Sequence, residues 1–273
     1  MSQKPPRVLL IDGDTLIYEA TAATEYETQW EPWLWTLHGN LDEAIAHLDN
    51  ALKEIQQHLD ADECMIALSD EQRWRPQVMP TYKSNRKGRK PTTYKPLREY
   101  VHEKYNVYQR PMLEGDDVLG VLVTHPKLVP GEKIVVSLDK DMKSLPGRHL
   151  NYMHARGEED WEPFIRTVTV AEADYFHMLQ TLTGDATDGY KGCPGMGPVS
   201  AAKLLDGLWG RADDGPFFPV ILVWPHVVEA YRKKGLGEEI ALQNARVARI
   251  CRWKDYNYDK KEVILWTPPS LTA

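Results

Sequence analysis

The chain of 273 residues contains 33 Lys or Arg and 40 Asp or Glu, which gives a net charge of −7 at pH 7. This balance argues at first against a polyanionic partner, although the distribution of charge matters more than its sum. No apolar stretch reaches membrane-spanning length and none resembles a signal peptide, so we expect an intracellular protein. Three isolated cysteines argue against a disulfide framework and a zinc knuckle. The length suits one large domain or two modest ones, and we predict one.

Three short apolar runs have the pattern of buried parallel strands, and each run ends in acidic residues. The runs and the acids after them are residues 8–11 with Asp12, residues 64–68 with Asp70, and residues 133–138 with Asp139 and Asp141. Because the carboxyl ends of parallel strands share one edge of a sheet, these acids should converge there. One strand-end Asp is more often a turn or cap residue than a metal ligand, so the inference depends on their coincidence.

The first two strands are separated by predicted helices and an aromatic stretch. One helix begins at Thr15, and apolar residues repeat at helical spacing from Leu41 to Leu59. Residues 26–39 have the composition of an extended hairpin or loop, and we predict that their rings pack on the body of the protein. We assign no chemistry to this stretch.

Residues 73–110 form a strongly basic segment with eleven Lys or Arg, two acids and a local charge of +9. Tyr82, Tyr94, Tyr100 and Tyr105 are interleaved with the charges, a mixture that pairs phosphates and stacks bases. Prolines near the start of the segment favour a loop or arch, with helix only from about Leu97. A solvated loop is the usual explanation of such a run, but its place between two acid-bearing elements favours substrate binding.

Further acids occur at two helical stretches. Glu114, Asp116 and Asp117 open an apolar helix, and three acids in four residues exceed what a cap needs. Asp185 and Asp188 are three residues apart, so on a helical turn both carboxylates project the same way. Nine carboxylates in one cleft would repel each other unless cations neutralise them. An all-oxygen ligand set favours Mg²⁺ or Mn²⁺ over zinc, and two such ions suit phosphodiester hydrolysis.

A glycine-containing turn follows Asp188 directly. Gly195 and Gly197 lie in this turn, and a helix begins at about Val199, where unpaired N–H groups attract phosphate. A Gly-x-Gly turn alone is weak evidence, because helix-turn-helix connections use glycine routinely. Next to the acidic pair it becomes much stronger evidence for phosphodiester binding. A helix over residues 171–183 precedes the turn, further helices follow residue 215, and residues 261–266 fit an edge strand.

These motifs resemble those of the 5′ nuclease superfamily of flap endonucleases and polymerase-associated 5′→3′ exonucleases, and most closely those of the compact phage 5′→3′ exonucleases. The matching sequences, in chain order, are LLIDGD, IALSD, TYKSNRKGRKP, EGDDVLG, VSLDKD and LTGDATDGYKGCPGMGPVSAAKLL. The resemblance implies an α/β, PIN-like fold with a central, mostly parallel sheet, a helical arch and a helix-three-turn-helix. It also implies one domain over residues 1–273. The catalytic core would be residues 1–170, with a basic arch at 80–110, and the helical DNA-binding part would be residues 171–273.

The resemblance further implies roles for individual residues. The metal ligands, directly or through water, would be Asp12, Asp70, Glu114, Asp116, Asp117, Asp139, Asp141, Asp185 and Asp188. Lys83 and Arg86 would be catalytic residues that contact the scissile phosphate, and Tyr82 would stack on a terminal base. The other DNA contacts would be Lys87, Arg89, Lys90, Gly195, Gly197 and Lys203. Two Mg²⁺ or Mn²⁺ ions would be the cofactors, and the glycine turn would hold K⁺ through backbone carbonyls.

The implied activity is metal-dependent 5′→3′ exonuclease action on the 5′ ends of double-stranded DNA, by a protein expected to be monomeric. Two enzyme alternatives use the same residues: a structure-specific flap endonuclease, and an RNase H acting on RNA:DNA hybrids. A non-catalytic DNA-binding module is disfavoured because none of the motif acids is missing. The role of Asp14, and whether the basic segment threads a flap, are left open.

Overall fold

The computed structural model describes residues 5–152, 164–212 and 215–270. Its centre is a six-stranded sheet whose members are β1 (Arg7–Asp12), β4 (Glu63–Ala67), β5 (Val107–Tyr108), β6 (Glu132–Val136), β7 (Gly147–Leu150) and β8 (Ile165–Val168). The strand order is β5-β4-β1-β6-β7-β8, and every neighbouring pair is parallel except β7 with β8. The predicted central, mostly parallel sheet is therefore confirmed.

Nine helices accompany the sheet in the described part of the chain. They are α1 (Gly13–Ala23), α2 (Leu41–His58), α3 (Arg75–Val78), α4 (Tyr94–Lys104), α5 (Gly115–Thr124), α6 (Val170–Thr183), α7 (Pro198–Asp206), α8 (Val220–Arg232) and α9 (Glu238–Ala248). Short 3₁₀ helices occupy Lys140–Ser144 and Trp253–Asp255. No helix in the described ranges is long and apolar enough to cross a membrane.

Strand β1 is apolar throughout because both faces of the sheet are covered. Leu9 and Ile11 pack with α1, α2 and α4 on one face, whereas Val8 and Leu10 pack with α5 on the other. Side chains alternate along a strand, so four consecutive apolar residues supply both cores. This arrangement leaves Asp12, the next residue, at the carboxyl edge of the sheet.

Helices α6 to α9 enclose a third core. Its buried members include Met178, Leu182, Trp224 and Tyr231, and the Tyr231 hydroxyl donates to the Thr181 carbonyl at 2.6 Å. The segment between α6 and α7 holds the predicted acid pair and glycine turn. Helices α6 and α7, with the segment between them, correspond to the helix-three-turn-helix that the resemblance implies.

Small antiparallel ribbons complete the described chain: β9 (Gly210–Ala212) with β10 (Gly215–Phe217), and β11 (Tyr256–Asn257) with β12 (Glu262–Val263). The edge strand expected at residues 261–266 is therefore limited to β12. It pairs with β11 and does not join the central sheet.

The aromatic stretch forms an antiparallel hairpin of β2 (Glu25–Glu31) and β3 (Leu34–Gly39), as predicted. The prediction that its rings pack on the body is wrong. Trp30, Trp33 and Trp35 are 62%, 82% and 54% exposed. Composition identified the hairpin, but it could not show that the ribbon projects from the core.

The basic segment is less helical than the resemblance implies. Residues 80–93 form turns and irregular structure, and helix begins at Tyr94, so the helical part of the arch is limited to α4. Pro80 and Pro91 favour irregular structure here, because proline restricts its own backbone conformation and disfavours helical backbone at the residue before it. Pro96 lies in the first turn of α4, where its missing N–H costs no intrahelical bond, so the helix starts before the expected Leu97.

Candidate active site

Six of the nine predicted acids converge at the carboxyl edge of the sheet, where they line a cleft of about 700 Å³. The acids that line it include Asp12, Asp70, Glu114, Asp116, Asp139 and Asp188, and the cations include Arg73, Lys83, Arg86, Lys90, Lys95 and Arg98. Asp141 lines a smaller cavity together with Asp116 and Asp188. Strand ends, a helix start and the turn after α6 thus supply one mixed-charge site.

Asp12 ends β1 and caps α1 at the same time. Its carboxylate accepts hydrogen bonds from the Thr15 amide (3.2 Å) and hydroxyl (2.9 Å), and a third from the Ser137 hydroxyl (2.8 Å). Burial, with a smaller contribution from the charge of Asp14, raises the pKa of Asp12 against the effect of these bonds. Asp12 therefore caps α1 and also lines the cleft, so its role as a cap does not exclude a role as a metal ligand.

Crowding has its largest effect on Asp116 and Asp141. Burial raises the pKa of Asp116 well above its usual range, and the charges of Asp12 and Asp139 raise it further. Burial and the charge of Asp139 raise the pKa of Asp141 to about 7. Acids packed in this way need cations beside them to stay ionised, and oxygen ligands suit Mg²⁺ or Mn²⁺. In the described part of the chain, however, no three His, Cys, Asp or Glu side chains already form a metal-binding group.

Glu114 is buried and is held closely by two cations, with Arg73 Nη1 as a third at 3.6 Å from Oε1. Arg75 Nη1 lies 2.6 Å from Glu114 Oε2, and Lys83 Nζ lies 2.8 Å from Oε1. Burial opposes ionisation, but the charges of Arg75 and Lys83 together outweigh it and lower the pKa of Glu114 to about 2. The basic segment thus neutralises an acid of the cleft before any substrate is bound.

Asp117 lies outside the cleft lining and is fully buried. Its Oδ1 accepts from Arg75 Nη2 (2.7 Å) and the Cys251 amide (2.9 Å), and its Oδ2 accepts from Arg75 Nη1 (2.7 Å) and Trp74 Nε1 (2.9 Å). These bonds already match the charge and both oxygens of Asp117, so the predicted role as a metal ligand would require breaking the pair with Arg75. Its position after Glu114 and Asp116 gave no sign of this difference.

Tyr82 is buried, not presented to the cleft. Its ring belongs to a cluster with Met79 and Tyr190, and the Lys83 amine lies 4.9 Å from the ring centroid. Its hydroxyl donates to Glu114 at 3.2 Å. This burial contradicts the predicted stacking of Tyr82 on a terminal base, since little ring surface is left for a ligand.

Asp185 and Asp188 lie in a tight turn after α6 and have different partners. Asp185 accepts the Thr187 amide (2.7 Å) on one oxygen, and the other oxygen lies 3.0 Å from Lys140 Nζ. Asp188 accepts instead from Arg86 Nη2 at 2.5 Å. The expected helical turn with parallel carboxylates is therefore wrong. Asp188 lines the cleft, whereas Asp185 is buried and closes the turn.

The start of the basic segment is docked on this turn. The Lys83 amide donates to the Asp188 carbonyl at 2.7 Å, and Lys83 has a φ of +54°. Gly189 has a φ of +77°, and a Cβ there would lie 2.8 Å from the Thr81 carbonyl oxygen. Glycine is therefore required for the close approach that places Lys83 beside the acids.

The other predicted DNA contacts of this segment differ in availability. Arg89 is paired with Glu25, Nη2 to Oε1 at 2.6 Å, so its predicted contact with DNA would require breaking that pair. Lys90 lies 3.8 Å from the Tyr94 ring centroid and lines the cleft. Lys87 is exposed. Lys87 and Lys90 are accordingly open to a ligand.

Asp14, which had no assigned role, joins three elements beside the cleft. Its Oδ2 accepts the Ser69 amide (2.8 Å), and its Oδ1 accepts the Tyr94 hydroxyl (3.1 Å) and Arg98 Nη1 (3.0 Å). Tyr94 and Arg98 are four residues apart on α4, a spacing that could have placed them on one face. The cleft also includes Tyr18 and His102, which sequence reasoning missed, and Arg73 and Lys95, which it placed only in the basic segment.

The glycines after α6 serve two purposes. Gly184 and Gly192 pack backbone against backbone, since a Cβ on Gly192 would overlap the Gly184 amide. Gly195 and Gly197 are exposed, and no described atom lies within 4 Å of a Cβ placed on Gly197. Lys203 is exposed on α7, which begins directly after Gly197. The second pair of glycines thus leaves space beside a helix N-terminus that the chain itself does not fill.

Comparison with known proteins identifies the family. The model described as 5′–3′ exonuclease, N-terminal resolvase-like domain, matches residues 7–174. The exodeoxyribonuclease of Enterobacteria phage T3 is 32% identical over 295 residues, which cover 96% of this chain and 93% of the relative. The exonuclease of Escherichia phage T7 is 30% identical over 292 residues, with the same coverage of both chains.

A solved structure of similar fold is that of a bacteriophage T5 flap endonuclease in a pseudo-enzyme-product complex with DNA and metal ions. Its TM-score is 0.60 at 12% identity, and the match covers 89% of this chain and 88% of that one. This likeness supports the 5′ nuclease fold, while the family match and the phage relatives confirm the resemblance seen in the motifs. The chain belongs to the 5′–3′ exonuclease family and is a phage-type 5′ nuclease.

Proposed function

We propose that this chain is a metal-dependent 5′→3′ exonuclease that hydrolyses phosphodiester bonds at the 5′ ends of double-stranded DNA in phage replication or DNA degradation. The main supporting observation is the single cleft that Asp12, Asp116 and Asp188 share with Lys83 and Arg86. The cationic side chains can stabilise the charge that develops on a transferring phosphate. The carboxylates can in addition bind divalent metal ions.

The acids of the cleft fit two divalent cations, Mg²⁺ or Mn²⁺. Their donor atoms are all oxygens, and burial with neighbouring acids raises the pKa values of Asp12, Asp116 and Asp141, so their ionised forms need cations beside them. The proposed ligands, directly or through water, are Asp12, Asp70, Glu114, Asp116, Asp139, Asp141, Asp185 and Asp188. Bound there, the cations would supply an activated water and stabilise charge on the leaving oxygen.

Lys83 and Arg86 are the proposed catalytic residues of the protein itself. Without DNA, they pair with Glu114 and Asp188. A substrate phosphate competes well for both side chains, because charge-assisted bonds to phosphate are strong. We infer that the phosphate takes over these contacts and so releases the two carboxylates to the cations. Substrate and metal binding would then support each other.

The proposed grip on uncleaved duplex lies at the exposed glycine turn. The room at Gly195 and Gly197, the N-terminus of α7 and the exposed Lys203 suit a DNA backbone. K⁺ held by carbonyls of this turn stays a prediction. Lys87 and Lys90 would contact the 5′ strand, whose terminal pairs fray as a nucleotide enters the cleft.

The deciding experiment is the double substitution Asp185→Asn with Asp188→Asn, assayed on 5′-labelled duplex in Mg²⁺. We expect hydrolysis to fall by about 10³-fold or more, because the site loses two charges that hold cations. Asp259→Asn, an exposed acid on the β11–β12 turn, is the matched control and should leave the rate unchanged. Undiminished hydrolysis in the double variant would show that the assignment is wrong.

A structure-specific flap endonuclease and an RNase H on RNA:DNA hybrids use the same residues and differ in substrate. A panel of 5′-labelled duplex, flap and hybrid separates them by product length: mononucleotides from duplex support the exonuclease. Membership of a nuclease family argues against a non-catalytic binding module. We further propose that residues 1–273 act as one domain, with the core in 1–170 and the DNA-binding part in 171–273, as an intracellular monomer.

A further inference from the structure

We propose that Glu25, on the aromatic hairpin, is a positioning residue that holds the far end of the basic segment over the cleft. The kinetic measurements that test this proposal depend on the proposed exonuclease function. The near end of the segment is held by the Asp188 turn, where the Lys83 amide is bound. The far end follows irregular structure over residues 86–91, which has no internal helix to hold it.

The contacts of Glu25 form a clamp on this far end. Its Oε1 accepts from Arg89 Nη2 at 2.6 Å, and its Oε2 accepts from Arg89 Nη1 at 3.0 Å and the Thr92 amide at 2.7 Å. One carboxylate thus binds a guanidinium in the bidentate way and a backbone amide three residues later. The Glu25 side chain is only 12% exposed, although the hairpin projects into solvent.

The second strand of the hairpin packs on the same place. A Cβ on Gly39 would overlap the Thr92 hydroxyl and lie 2.8 Å from Thr93 Cγ2. Glu25 and Gly39 are cross-strand partners at the base of the hairpin. Both strands therefore contact residues 92–93 through this base. The hairpin is therefore a support for the basic segment, and Glu25 is its polar contact.

This support determines where the cations of the segment lie. Arg86 and Arg89 are three residues apart and bind carboxylates on different elements, Asp188 and Glu25. Between and beside them, Lys87 and Lys90 stay exposed, and Lys90 lines the cleft. Arg89 is then a structural residue of the clamp, and Lys90 is the side chain whose position the clamp sets.

The test is Glu25→Ala, with Glu31→Ala at the far end of the same strand as matched control. We expect the KM for 5′-labelled duplex to rise about fivefold, while kcat stays within about twofold, because Lys83 and Arg86 keep their own anchors. The Thr92 amide, freed from its acceptor, should exchange its hydrogen about tenfold faster. Glu31→Ala should change neither quantity. A similar loss in kcat, or unchanged Thr92 exchange, would overturn the proposal.

A charge-swapped variant separates clamping from direct DNA contact by Arg89. Glu25→Arg combined with Arg89→Glu can rebuild the ion pair with its sign reversed but not the Thr92 bond, because a guanidinium accepts no hydrogen bond, so KM should lie between the native value and that of Glu25→Ala. If Arg89 binds DNA itself, the swap will be worse than either single substitution, because a carboxylate then faces phosphate. If native protein fails to cleave 5′-ended duplex, the proposed function fails, and Thr92 exchange still tests the clamp.

Discussion

Arg75 and Asp117 form a buried bidentate ion pair, Nη1 to Oδ2 and Nη2 to Oδ1, both at 2.7 Å. The same guanidinium donates to Glu114 at 2.6 Å and to the carbonyls of Val247 (3.0 Å) and Arg249 (2.7 Å) at the end of α9. One side chain at the start of the basic segment thus joins an acid of the cleft to the helical part of the fold.

Arg75→Met should destabilise the protein by about 3–5 kcal/mol, because it leaves Asp117 buried without its counter-charge. Arg75→Lys should destabilise the protein less, because lysine keeps the charge but not the bidentate geometry. Urea unfolding measures the free energy of unfolding of both variants. Arg73→Met is the control and should cost less than about 1 kcal/mol, because Arg73 lies 3.6 Å from Glu114 and its side chain is 38% exposed. An unchanged unfolding midpoint for Arg75→Met would contradict this account of the pair.

Lys83→Met should lower kcat by about 10²-fold and KM little, because its charge acts on the phosphate as the bond breaks. Lys87→Met, a loss of the same charge from an exposed position four residues later, should mainly weaken binding. Steady-state kinetics on 5′-labelled duplex separate the two effects. Equal losses in binding and turnover for Lys83→Met would reduce its role to electrostatic docking.

Two glycine substitutions should have different effects: Gly197→Ala on DNA binding and Gly189→Ala on stability. Gly197→Ala should change stability by less than about 1 kcal/mol, because its φ is −81° and the space around an added Cβ is open. It should nevertheless weaken duplex binding, measured by fluorescence anisotropy, if DNA backbone occupies that space. Gly189→Ala should lower the free energy of unfolding by about 1–3 kcal/mol, because its φ is positive and Thr81 blocks the methyl group. Unaltered DNA affinity in Gly197→Ala would place the duplex elsewhere.

Asp116→Asn should stabilise the metal-free protein while abolishing hydrolysis. Burial and nearby acids raise the pKa of Asp116, so ionised Asp116 is unfavourable when no cation is bound. We expect a rise in Tm of about 2–4 °C in EDTA at pH 8, and little or no further rise when Mg²⁺ is added. Native protein should instead be stabilised by Mg²⁺. A lower Tm for the variant in EDTA would argue against repulsion among these acids.

Acidification should destabilise the helical part through His177. The ring is buried, its Nε2–H donates to the Ala245 carbonyl (2.8 Å), and burial lowers its pKa to about 3. The folded pKa is below the unfolded value of about 6.5, so the unfolded state gains a proton first as pH falls. Stability should drop by about 2 kcal/mol between pH 7 and pH 5. Chemical unfolding of His177→Gln should lack this loss, whereas exposed His226→Gln should keep it.

Sequence by itself determined the strands, the acids at their ends and the glycine turn. These are local properties: a run of consecutive apolar residues buries both faces of β1, and a parallel sheet brings its strand ends to one edge. The convergence of Asp12, Asp70 and Asp139 on one cleft follows from them. Their order along the chain also matched a known family.

Only the tertiary structure decided which charged groups are paired. Asp116 and Asp117 are neighbours in sequence, yet one faces the cleft and the other is bound to Arg75, because successive residues on a helix point in different directions. Glu25 and Arg89 are 64 positions apart and meet only because the hairpin folds against the basic segment. Ion pairs of this kind depend on how elements pack, which spacing along the chain does not specify.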